Sequence, residues 1–194
     1  MNFEDIRTTG MELLPGADAY SAIGTYDLSV PFTYFGQTFT SFNISTVGFI
    51  SFGPPLTDAY DTNNHTVPGT TPPDGTVAIF WDQIGRGTTI GGTDGTIRME
   101  RRANYTIISW TGFRIYAWTP SSLNFQIKLF DSGVIEFHYD EMMPGPPNSN
   151  SGKETGSSAT TWIERPDGSG ALPVNINTLG GIQPHTAWRF TPNQ

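Results

Sequence analysis

Three places in the sequence gather side chains able to do chemistry. Asp58, Asp61, Asn63, Asn64 and His65 crowd the stretch TDAYDTNNH. Hard oxygen donors at this density suit Ca²⁺, with Asp58, Asp61 and Asn63 as the expected ligands. The stretch lacks the glycine and closing glutamate of an EF-hand loop, so a solvated loop is the competing reading. Glu136, His138 and Asp140 alternate along VIEFHYD. Alternate residues of a strand lie about 7 Å apart on one face, so a metal reaches two of these groups but hardly three. A half-polar outer sheet face explains them as well. Trp81 ends the apolar run VAIFW and Asp82 follows it. Either Trp81 fills the core while Asp82 caps a turn, or the pair marks a ligand or cation site at a sheet end.

Nucleophilic catalysis has few players in a chain with three His and no Cys. Neither the H-E-x-x-H zinc signature nor the G-x-S-x-G elbow occurs. A glycosidase needs two carboxylates facing across a cleft, which spacing along the chain does not reveal. The chain is expected to be non-enzymatic, with a hydrolase as the remaining catalytic alternative. Asn43, Asn64 and Asn104 match the N-glycosylation sequon, as chance allows in a Thr-rich chain.

Composition narrows the partners. The chain has 194 residues and a net charge of −8, from 10 basic and 18 acidic residues. Its basic residues are scattered, with Arg101–Arg102 as the one adjacent pair, and only Lys128 and Lys153 are lysines. No positive patch for phosphate backbones or anionic lipid follows from this, so neither nucleic acid nor membrane is an expected partner. The absence of Cys removes disulfides and thiolate metal sites. Met1 is followed by neither a basic nor an apolar leader segment, and no run is long enough to span a membrane.

The elements that must position these residues are strands. No window keeps a helical period, whereas apolar alternation recurs every eight to twelve residues between Gly, Pro, Asn and Asp. Leu123, Phe125, Ile127 and Leu129 alternate with Asn124, Gln126 and Lys128; Ile135, Phe137 and Tyr139 alternate with Glu136, His138 and Asp140. Between them, DSG supplies a tight reversal at Gly133. Residues 87–140 read as an antiparallel meander, and SATTWIE, PVNIN and TAWRFTP as three further strands. Phe32–Gly53 holds six Phe and a Tyr with no charged residue. Strands apolar on both faces belong inside a sandwich or under a covering loop, so this stretch is expected in the core. The reading is one domain over residues 1–194, an all-β antiparallel sandwich of jelly-roll type with about ten to thirteen strands and a mobile loop near 144–158.

The segments FEDIRTTGMELL, VPFTYFGQTFTSFNISTVGFISFG, VAIFWDQI, LNFQIKLFDSGVIEFHYDEM and SATTWIE fall in an order that resembles bacterial secreted modules of the nidogen type (NIDO-like). The resemblance implies a β-sandwich carried on secreted or surface proteins, and no established catalytic residue. Two positions depart from the family pattern: Val47–Gly48 stands for its Asn-Gly, and Gln83 for the second acid after Phe-Trp. The expected role is extracellular display or binding. A virion surface protein (head decoration, fibre or tail component) is favoured because the family's leading strand follows Met1 directly. A secreted adhesion module that grips protein or glycan is the alternative. The expected partner is a protein lattice or a second copy. The expected contacts are Met1–Leu14, Pro144–Ser158 and the C-terminal strand, with Trp188 or Phe190 as anchor.

Overall fold

The computed structural model describes residues 2–16, 22–57, 67–68, 73–86, 95–115, 121–143 and 152–192. Two antiparallel sheets stack face to face. The first holds β1 (Met11–Leu13), β7 (Thr96–Arg101), β8 (Tyr105–Ile115), β9 (Ser122–Phe130), β10 (Ile135–Met143) and β13 (Thr186–Phe190) in that order, with β6 (Ile84–Gly85) pairing β8 off the path. The second runs β12 (Ala171–Ile176), β11 (Thr160–Glu164), β5 (Thr76–Trp81), β4 (Phe49–Ser51), β3 (Gln37–Ser45) and β2 (Ile23–Tyr34). The described residues include 13 strands and one short 3-10 turn, Lys153–Thr155. The all-β antiparallel sandwich expected from the apolar alternation is the observed architecture.

The alternation in β9 and β10 does what its period demands. Phe125, Ile127, Phe137 and Tyr139 are buried between the sheets. The reversal sits at Gly133, whose φ of +81° is a left-handed value that a side chain disfavours. Two hydrogen bonds tie the layers across the core. Trp110 donates from Nε1 to the Ser45 carbonyl at 3.3 Å, and Tyr139 donates its hydroxyl to the Ile79 carbonyl at 2.8 Å.

The aromatic stretch is core on both faces, for two separate reasons. Phe42, Ile50 and Phe52 belong to the main inter-sheet cluster. Val47, Phe49, Ala78, Trp81 and Trp162 form a second cluster, packed against Leu56 and Val67 of the covering loops. Val47, where the family pattern has Asn, contributes a side chain to this apolar patch. Gly48 is obligatory: its φ is +91°, and a Cβ there would lie 2.0 Å from the Phe80 carbonyl oxygen. The distal end of the β2–β3 hairpin closes one end of the sandwich. Tyr34 reaches over to donate its hydroxyl to the Glu164 carbonyl at 2.6 Å, and its ring packs on Phe52. Phe35, at the hairpin tip, is exposed.

Candidate functional site

The polar row of β9 and β10 is not a solvated face. Gln126, Lys128, Glu136 and His138 are all buried. Gln126 and Lys128 are covered by the N-terminal segment 2–10, which runs as a strap over the outer side of the first sheet before entering β1, while Glu136 and His138 lie at its side, with Arg189 of β13 on Glu136. Alternation marked these residues correctly as pointing away from the core; what lies over Gln126 and Lys128 comes from more than a hundred positions away. The Gln126 amide imitates a strand partner, accepting from the Glu4 N–H at 3.1 Å and donating to the Glu4 carbonyl at 2.9 Å. Lys128 donates from Nζ to the Asn2 carbonyl at 2.9 Å and pairs with Glu4 Oε1 at 2.6 Å. The Glu4 carboxylate also accepts from the Tyr105 hydroxyl at 2.7 Å and from Arg102 Nε at 3.0 Å. Burial raises the Glu4 pKa, but the bonds from Lys128, Tyr105 and Arg102 outweigh it and hold the group at about 2. Ile6 is fully buried as the strap's apolar anchor.

Beside the strap, Glu136 and His138 form a short buried pair. The Nε2 of His138 lies 2.8 Å from Glu136 Oε2, and the other carboxylate oxygen accepts from Arg189 of β13. Burial lowers the His138 pKa, while the Glu136 hydrogen bond opposes the shift. Burial raises that of Glu136, and the donors His138 and Arg189 more than reverse it. An ionised Glu136 is acceptor-only, so the neutral imidazole carries its proton on Nε2 and donates it. A cleft of about 350 Å³ opens here, lined by Asn2, Phe3, His138, Asp140 and His185 among others. Asp140 is not drawn to the pair; its neighbour is the exposed His185, at 3.5 Å. Among the described residues, no three His, Asp or Glu side chains are arranged to hold a metal ion. Asp58, Asp61 and Asn63 lie outside the described residues.

Asp82 behaves as a turn cap. Its carboxylate accepts from the Gln83 N–H at 2.7 Å and from the Ser158 hydroxyl at 2.6 Å. Burial raises its pKa, with Ser158 working the other way. Trp81 is 1% exposed in the second apolar cluster, beside Phe49 and Trp162. Asn43 is buried and donates to the Pro54 carbonyl at 2.9 Å, so in the folded chain its sequon is closed to modification. Of the loop expected near 144–158, residues 152–158 fold around the 3-10 turn, with Glu154 buried and Gly152 accepting from Thr155.

The remaining feature is the open side of the sandwich, between the terminal strands β12 and β13. Trp188 is registered opposite Phe137 and Phe190 opposite Ile135, so both point to the core-facing side of their sheet. Leu172 is opposite Ile163 and does the same in the other sheet. Yet Trp188 remains 45% exposed and Leu172 55%. Core-facing residues with that exposure mean that neither sheet covers the other here. The groove between them has a volume of about 460 Å³, with Tyr34, Ile135, Ile163, Leu172 and Phe190 in its walls and Arg165 at its rim. Trp188 and Phe190, named as candidate anchors from their type and their place in the last strand, lie on this side of the molecule. Leu172 and Arg165 carry no such signal in the sequence, because their position beside Phe190 depends on which two strands end the sheets.

The chain has no match among curated proteins and none among solved structures. The model of the NIDO-related family matches residues 1–180, from the strap through β12, and leaves β13 beyond the matched region. With that extent of match, over every strand of the two sheets except β13, the chain belongs to the NIDO-related family of extracellular-type domains.

Proposed function

We propose that the chain is a non-enzymatic structural and binding module that works outside the cytoplasm through contact with another macromolecule, as a component of a virion surface. The observation that carries this reading is how the polar groups are spent. Glu4 of the strap is paired with Lys128, and Glu136 with His138 and Arg189, whereas the apolar side chains of the β12–β13 side stand open. Groups locked in this way hold a fold together; open core-facing apolar groups offer a place for a partner. Family membership supports an extracellular-type setting, and the charge of −8 suits a surface that does not bind nucleic acid.

A secreted adhesion module is the second reading. The exposed indole of Trp188 favours it, since an aromatic face open to water also suits a sugar ring. Quantitative mass spectrometry of purified particles, washed cell surfaces and cytoplasm from the source tests both. Enrichment on particles is the expected result, enrichment on cell surfaces selects the adhesion reading, and confinement to the cytoplasm overturns the proposal.

A further inference from the structure

Four strands end the two sheets, and three of them carry features that discourage further pairing. β1 is three residues long. β2 contains Pro31 and a register shift between Asp27 and Phe32. β12 contains Pro173, and its register against β11 shifts between Thr161 and Trp162. Proline, shortness and bulges are the usual protections of a free edge. β13 lacks the proline and the bulge: it pairs with β10 in five consecutive positions from Thr186 to Phe190 without a shift. Its one charged residue, Arg189, is turned back onto Glu136 of β10. Among the described residues, no strand pairs with its outer side.

We propose that β13 accepts an added strand from a different protein, an extended segment that alternates apolar residues with at least one carboxylate. This rests on the contact-module reading above and names its partner. Alternation follows from the geometry. An added strand beside β13 would turn every second side chain toward the seam, where Trp188 and Leu172 stand open, and leave the others on the outer face.

The acid follows from charge. Arg165 at the groove rim is exposed, its guanidinium lies 5.4 Å from the centre of the Phe35 ring, and no described carboxylate lies within ion-pair distance of it. Asp167, two positions on, feels this charge without forming a close pair with it. In a chain of net charge −8, an exposed cation beside an apolar groove, with no close ion pair among the described residues, favours an anionic group, and like net charge disfavours a second copy as the occupant.

The test is selection of a displayed library of extended peptides, about ten residues long, against the full chain. Competition titrations of the enriched peptides against Trp188→Ala and Arg165→Glu follow. Both substitutions fall on exposed side chains, and circular dichroism confirms that each variant is folded. The expected result is enrichment of peptides that alternate apolar residues with Asp or Glu, whose affinity falls about tenfold or more in each variant. Backbone amide shifts on binding should concentrate in residues 186–190. Peptides without that pattern, binding indifferent to both substitutions, an empty selection, or a dimer of the chain that Trp188→Ala disrupts would each overturn the proposal. An empty selection with the protein still found on particles or cell surfaces removes strand addition alone. Confinement to the cytoplasm removes the wider reading instead.

Discussion

Lys128 keeps only 6% of its side chain exposed, and a buried ammonium persists only with a counter-charge and hydrogen bonds around it. Glu4 supplies both. Glu4→Ala is expected to cost roughly 3–5 kcal/mol, because Lys128 is left buried and unpaired; equilibrium denaturant unfolding at pH 7 measures it. The same carboxylate gives the fold an acid limb. Its pKa falls from an ordinary 4.5 to about 2 on folding. The stabilisation is therefore complete above pH 4.5 and is lost as pH falls toward 2, an effect on the order of 3 kcal/mol. Unfolding free energy measured between pH 5 and 2 should drop more steeply for the native chain than for Glu4→Gln; parallel curves would contradict the pairing. His138 acts in the same direction at higher pH: its lowered pKa favours the folded state above its ordinary value of 6.5, and that contribution is lost as pH falls. In the core, Phe42→Ala and Phe49→Ala should each cost about 3–5 kcal/mol as truncations of buried rings. Unchanged stability in either would show that its cluster is not closed.

At the scale of elements, the strap and the hairpins were legible to different degrees. The β9–β10 hairpin followed from strict alternation and from Gly133, since both signals are local. The start of β2 did not. Ile23–Ser29 mixes Gly, Thr, Asp and Ser with few apolar residues, because β2 is an edge with one side in water. The strap carries no period at all; its order comes from Gln126 and Lys128, whose partners in residues 2–4 are over a hundred positions away. Polar residues on alternate positions therefore looked like a wet face when they form the inside of a second, thinner layer. Met1–Leu14, expected as an outward contact element, is largely committed to the chain's own sheet from Asn2 on. Removing residues 2–10 should lower the melting temperature and increase amide exchange in β9 and β10 before β3 and β5. Unchanged exchange would mean that the strap only rests on the sheet.

For the whole molecule, the sandwich divides its work between a sealed side and an open one. The sheet content should appear in far-ultraviolet circular dichroism as a β spectrum, consistent with 13 strands and a single 3-10 turn among the described residues; a substantial helical signal would contradict the architecture. The central claim is that the proposed contact runs through the open β12–β13 seam and not through the polar row. The most direct measurement is the fraction of folded protein retained on particles or cells from the source, compared between Trp188→Ala and the double variant Glu136→Gln/His138→Gln. The expected result is that Trp188→Ala leaves the melting temperature nearly unchanged and lowers retention, while the double variant lowers the melting temperature and leaves the retention of folded protein intact. Retention lost in the folded double variant and preserved in Trp188→Ala would place the working surface at the polar row and contradict the claim.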